Sequence, residues 1–396
     1  MGFCAALSWG CGGATTARNP QPRNGGSEVE VPRTVVTPQD ARSVPELLRD
    51  AARLAEQKRW REAAQAYDRV YRLEPDGTTG DSAVWGAAEA YDQAGDNPAA
   101  LARYELYAER AADAQQVLAA RVRALRLQVY LGHFEAAGAQ ADRLAKNLDA
   151  LNELGRISVL SGKALALLER EDDQQASYYI EKGRDIAESN NLDEATPLPR
   201  DLAQLYYALG ELRRVRASRI KFVPMPPAFG SVLEARCVLL LDAQSAYSDT
   251  MRANDAHWSA MAGFRVAELY SDLHRDLLAV QPPASADTER KRQLFEGAVR
   301  TRYAILLTKA KGMAEHTLAM AARTGERSEW VERTRQALTS IERGIADEDA
   351  ALAKLPYTRQ DFDAYFAEME GAASKPTPTA PTKTSPPPKP TPKPSP

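Results

Sequence analysis

The sequence predicts an all-α protein: an array of helical hairpins that continues into a set of longer helices. Three observations carry that expectation. Alanine, leucine, glutamate and arginine outweigh the sparse valine and isoleucine, which favours helix over strand. Apolar residues recur with helical period from about residue 44 to about residue 370. Small residues also recur at long, nearly fixed spacings: Ala63, Ala100, Ala137 and Ala176 stand 37, 37 and 39 residues apart.

Each of these alanines lies near the start of the second helix of a helix–break–helix unit. Four residues on come Tyr67, Tyr104, Ala141 and Ile180. In the first helix of each unit, Ala51, Ala88, Leu125 and Ala164 hold the matching place, followed three residues later by Leu54, Tyr91, Gln128 and Leu167. Two antiparallel helices need a small residue where their backbones cross and a bulky one beside it. One pair leaves an apolar face exposed, so the unit must recur and stack.

This pattern resembles the tetratricopeptide repeat, whose usual period is about 34 residues. "RWREAAQAYDRVYRLEPDG" (59–77) matches best, with Trp60 at the turn, Ala63 and Tyr67 in the second helix and Pro75 after it. "LGHFEAA" (131–137) is a second good match. The spacings run longer than the family's, Gln128 and Ala141 stand where bulk is usual, and "REDDQ" (170–174) replaces a glycine-aromatic turn. The array is expected over 44–222, with 196–222 as a fifth, degenerate pair. Trp60, Ala63 and Tyr67 are read as stacking residues.

"KFVPMPPAFG" (221–230) marks a boundary, because Pro224, Pro226 and Pro227 stop a helix. Beyond it, 223–372 reads as a C-terminal helical region with long helices at about 229–253, 256–280, 287–325 and 328–353. Gly325 is the expected stop of the third and Ser328 the expected N-cap of the fourth. "LLDAQSAYSDTMRANDAHWSAMAGFRVAELYSDLHRDLL" (240–278) is also similar to helical segments of envelope-associated repeat proteins of gliding deltaproteobacteria.

The ends differ from the body. Residues 1–11 resemble a truncated bacterial lipoprotein signal, with Gly10 before Cys11, which that resemblance marks for lipidation. Leu7 stands one place early and Ser8 occupies the usual aliphatic position, and no basic stretch precedes the apolar one. The other reading is an incidental cysteine in an unstructured start. Met1-Gly2 suggests myristoylation, but Ala6 takes the place of the expected Ser or Thr. Residues 12–43 read as a flexible tether and 373–396 as a disordered tail; its last 22 residues hold ten prolines and four lysines and no acid. The formal net charge is −3, so the body without that tail is acidic and nucleic acid is not an expected partner.

No catalytic set is legible. His133, His257, His274 and His316 are not spaced as ligands, and no P-loop, GxSxG or GxGxxG occurs. "HRD" (274–276) lies in a helical run without the rest of a kinase signature. Cys4, Cys11 and Cys237 form no metal-ligand pattern, Cys237 reads as an apolar filler, and no cofactor is expected.

The repeat resemblance implies a concave groove lined by the first helix of each unit. Carried over by position, the candidates are Trp85, Glu89 and Asp92 from unit two, Arg126 and Tyr130 from unit three, and Glu169 from unit four. Such a set suits capture of a peptide or protein, although Trp85 and Tyr130 would equally serve packing between units. Arg213, Arg214, Arg216, Arg219 and Lys221 form a basic patch, either for an anionic envelope partner or as cations at a helix C-terminus. The expected function is a non-enzymatic interaction scaffold. Its expected place is the bacterial periplasm, anchored to the membrane by lipid on Cys11, with the tail reaching peptidoglycan or other partners. A cytoplasmic adaptor of the same fold is the alternative, and a helical enzyme using His257, His274 or His316 is a third.

Overall fold

The computed structural model describes residues 42–373. The expectations for Cys11, the tether and the proline-rich tail lie outside the described residues. Val44 to Ala373 belong to one compact unit, and among the described residues every regular element is helical.

Four hairpins come first: α1 (Val44–Glu56) with α2 (Trp60–Leu73), α3 (Gly77–Gln93) with α4 (Asn97–Arg110), α5 (Ala114–Tyr130) with α6 (Phe134–Leu144), and α7 (Glu153–Glu169) with α8 (Asp173–Ser189). Each second helix also packs on the first helix of the next pair. The two alanine series explain why. Ala63, Ala100, Ala137 and Ala176 are all fully buried, and so are Ala51, Ala88, Leu125 and Ala164. With no bulk at the crossing, Tyr104 and Ile180 fill the adjacent holes and are buried in turn. The protein is a TPR-like helical-hairpin array.

The hairpin turn is the same in all four units. The second residue after the first helix has positive φ: Lys58, Gly95, Gly132 and Glu171, at 57°, 72°, 73° and 58°. The next residue, Arg59, Asp96, His133 or Asp172, donates its N–H to the carbonyl of Leu54, Tyr91, Gln128 or Leu167. That closure satisfies carbonyls the helix end would otherwise orphan. Glycine takes the left-handed position freely at Gly95 and Gly132. "REDDQ" therefore does not lose the turn; Glu171 adopts the conformation at a cost. Asp96 and Asp172 then cap the second helix, accepting from Ala99 N and Gln175 N.

The fifth pair differs from expectation. Residues 196–222 do not form a hairpin by themselves: they hold a single long helix, α9 (Arg200–Arg219), which pairs with α10 (Phe229–Met251). The prolines at 224–227 form the connection between two paired helices. Helix pairing continues across the point where composition suggested a boundary.

Three long helices follow close to their predicted limits: α11 (Ala256–Leu278), α12 (Glu289–Thr324) and α13 (Glu329–Ala353). Gly325 ends α12 in the left-handed region, φ 76°, as expected. Ser328 precedes α13 but makes no side-chain cap; its N–H instead donates to Glu326. A further helix, α14 (Arg359–Ala373), packs on α12. Its Phe362 lies so close to Gly297 that a Cβ there would sit 2.1 Å from the ring. No helix among the described residues is long and apolar enough to cross a membrane.

Candidate functional site

Later parts of the chain cover one end of the second and third hairpins. The start of α11 and the α12–α13 turn reach the C-terminal end of α5 and the N-terminal end of α4. Asp255 caps α11 by accepting from Trp258 N at 2.9 Å, and that cap fixes the direction of the two residues it brackets. His257 Nε2 donates to the Tyr130 carbonyl at 3.0 Å, and the indole of Trp330 donates to the same oxygen at 2.8 Å. Trp258 is fully buried, edge-on to Tyr130 with centroids 4.7 Å apart, and its indole donates to the Arg200 carbonyl.

Because Nε2 faces a carbonyl, it carries a proton. Nδ1 then stands between two partners, Asn97 Nδ2 at 3.2 Å and Glu326 Oε1 at 3.1 Å. A neutral ring accepts from Asn97; a protonated ring donates to Glu326. Burial raises the Glu326 carboxyl, but the contact with His257 and the bonds from Ser328 outweigh it, so it stays below the ordinary carboxylate value.

Of the sequence-derived groove set, this arrangement buries three. Arg126 donates to Asp92 at 2.5 Å, and both side chains are less than a tenth exposed. Arg200 joins them, 3.4 Å from Asp92 and 2.8 Å from Asp255. Burial lowers the Arg126 pKa, yet Asp92 and the neighbouring phenols hold it above its usual value. Tyr130 lies over this network with its guanidinium neighbour Arg126 5.9 Å away. Burial drives its phenol pKa well up; Asp255 adds to this, and Arg126 and Arg200 oppose it.

The other three stand apart. Trp85 is half-buried, edge-on to Tyr104 and Tyr107 at 5.8 and 5.1 Å, with the Arg123 guanidinium 4.8 Å above its ring. Glu89 accepts from Arg123 at 2.6 Å. Glu169 is exposed at the end of α7. The six positions thus do not form one open surface, because burial has taken Asp92, Arg126 and Tyr130 into the interior.

What stays open is a cleft of about 940 Å³ along the edge of this closure. Trp60, Arg61, Asp96, Glu326, Arg327 and Arg333 are among the residues that line it. Trp60 is half-buried there rather than spent on stacking, and Arg61, Arg327 and Arg333 are exposed. Arg333 pairs with Glu329 at 2.6 Å and lies over the Trp330 ring at 4.7 Å. Sequence reasoning missed Asn97, Arg200, Asp255, Glu326 and Trp330, which lie up to 233 positions apart. Only Asp255, just before an apolar helical run, carried a local cap signal.

The basic patch is mostly neutralised within the fold. Arg216 and Arg219 both pair with Asp173, Arg214 with Glu211, and Arg213 donates to the Asp242 carbonyl. Lys221 is exposed. The histidines do not converge either. His257 belongs to the closure, His274 is buried on α11 with its pKa lowered by burial, and His133 and His316 are exposed on other elements. Asp276 of "HRD" accepts from the buried Arg236 at 2.6 Å and so serves packing. Cys237 is half-buried, and burial raises its thiol pKa. Among the described residues no group of His, Cys, Asp or Glu is placed to hold a metal.

No family model matches the chain, and no curated protein does. Among solved structures it is similar to a tetratricopeptide repeat protein from Parabacteroides merdae, at 13% identity over 75% of this chain and 99% of that one, with a TM-score of 0.37. It is also similar to yeast Tom70, at 12% identity over 83% of this chain and 68% of that one, TM-score 0.31. A circular tandem repeat protein follows at 13% identity over 78% of each chain, TM-score 0.17. The repeat assignment rests on the helix pairing, the repeated turn and the buried alanine series.

Proposed function

We propose that the protein is a non-enzymatic interaction scaffold that takes a peptide segment of a protein partner in the cleft between Trp60 and Arg333. The observation that carries this reading is the cleft's make-up. A closure held by buried hydrogen bonds fixes its walls, and an exposed rim of Arg61, Arg327 and Arg333 surrounds the half-buried Trp60. A rigid wall spares a bound segment part of the ordering cost. The indole offers area for an apolar side chain, and a rim that carries Asp96 and Glu329 beside the arginines suits a segment of mixed charge. The test uses the full chain as bait in an extract of envelope proteins. Arg61→Glu with Arg333→Glu should release the captured partner, while Lys221→Glu, outside the cleft, should retain it. Equal retention by both variants contradicts the assignment.

We further propose that the scaffold is held at a bacterial membrane, in the periplasm, by lipid on Cys11, with the tail able to reach peptidoglycan. The motif at Gly10-Cys11 supports this. Palmitate labelling that disappears in Cys11→Ala is the expected result. A soluble, unlabelled wild-type protein would favour the cytoplasmic adaptor.

A further inference from the structure

A second cleft, apolar and of about 750 Å³, lies between the start of α10, the α11–α12 connection, α12 and α14. Its walls include Phe229, Tyr303, Tyr365, Phe366 and Met369, with the exposed Glu368 on its rim. Aromatic side chains ranged along a groove are the chemistry that holds a polyproline strand. Proline rings lie flat against aromatic faces, and a strand already extended loses little entropy on binding.

The chain supplies such a strand next to the groove. α14 is one wall, and Met369 stands five residues before Ser374. From Lys375 to Pro396 the sequence holds ten prolines and four lysines and no acid. In extended polyproline form this length reaches about 70 Å, so reach is not limiting. The rim carries Lys291 as well as Glu368, so charge is balanced there and the aromatic wall is what selects the strand.

We infer that the groove is the docking site of this chain's own segment 375–396, with its prolines against Tyr303, Tyr365 and Phe366. The occupancy is within one chain, because a tether of a few residues supplies an effective concentration no separate copy matches. A proline-rich partner would then have to displace the tail, which separates this groove from the cleft proposed for partner capture.

A photoreactive benzoylphenylalanine replacing Tyr365 in the full chain tests this, with the same group replacing the exposed Ile305 as control. The expected result is cross-links from position 365 into residues 375–396 of the same chain, about tenfold above the control and independent of protein concentration. Tail cross-links equal at both positions, or absent, overturn the inference, as do cross-links that join two chains. If the probe disturbs α14, a full chain with its ten tail prolines replaced by glycine gives a second reading. Amide exchange in α14 should be faster in that variant than in the wild type, and identical exchange overturns the proposal.

Discussion

In the hairpins α1–α8 each helix meets its partner over an alanine and turns on one left-handed residue. From α9 onward the contacts run through large side chains and buried charges. The glutamate of α9 shows the contrast. Glu211 is buried, accepts from Tyr247 at 2.6 Å, and pairs with Arg214 at 2.8 Å and Arg265 at 2.9 Å, side chains from three helices. The first region is held by shape repeated at short range. The second is held by groups that find each other only after the chain has folded back. Helices α3 to α5 belong to both: they stack by the alanine rule, and Asp92 of α3 and Arg126 of α5 form a buried ion pair within the array.

The largest effect should come from breaking the charged part. Asp92→Ala leaves Arg126 buried without its carboxylate, which costs on the order of 3–5 kcal/mol. Chemical denaturation should show the midpoint fall steeply. Glu89→Ala, which breaks the only partly buried pair with Arg123, should cost less, about 1 kcal/mol. Equal losses would mean that the Asp92 network is not buried.

Acid should act on the second region. Burial raises the Glu211 carboxyl, but Arg265, Arg214 and the bond from Tyr247 outweigh it and bring its pKa to about 2. A folded value below the ordinary one means a stabilising contribution that is complete above about pH 4.5 and lost as pH falls toward about 2, worth about 3 kcal/mol. The wild type should therefore lose stability across that window, and Glu211→Gln should lose less. Parallel curves for the two proteins would exclude this site as the cause.

The shape rule is probed by Ala100→Leu. Extra bulk at a fully buried crossing should destabilise by about 1–3 kcal/mol, and amide exchange should rise first in α3 and α4. Smallest and opposite in sign is Glu171→Gly. It removes the cost of a non-glycine residue at positive φ, so thermal melting should show a gain of up to about 1 kcal/mol. A loss there would mean that the turn draws support from the Glu171 side chain.

The same comparison explains what the sequence disclosed. Ala63, Ala100, Ala137 and Ala176 were legible because a hairpin array writes its packing at a fixed spacing, and all four are buried. The limits of α10 to α13 were legible from periodicity, Gly325 and the prolines. The turn at Glu171 was not, because a left-handed conformation is marked in sequence only when glycine occupies it. The pairing of α9 with α10 was hidden by prolines that composition reads as a boundary. At the candidate site, Asp92, Arg126 and Tyr130 were singled out by register alone. Register places a residue on the inner face of a repeat but carries no information about what later covers that face. Their partners Arg200, Asp255 and His257 come from helices with no repeat spacing to betray them.

The claim that the chain's own later helices cover the end of α5 is tested most directly at Tyr130. Tyr130 is 2% exposed beneath His257 and Trp258, whereas Tyr178 on α8 is 52% exposed. Nitration of the native full-length protein, read by peptide mapping, should modify Tyr178 and spare Tyr130 until the protein unfolds. Modification of Tyr130 at a rate comparable to Tyr178 would show that the end of α5 is open and contradict the account.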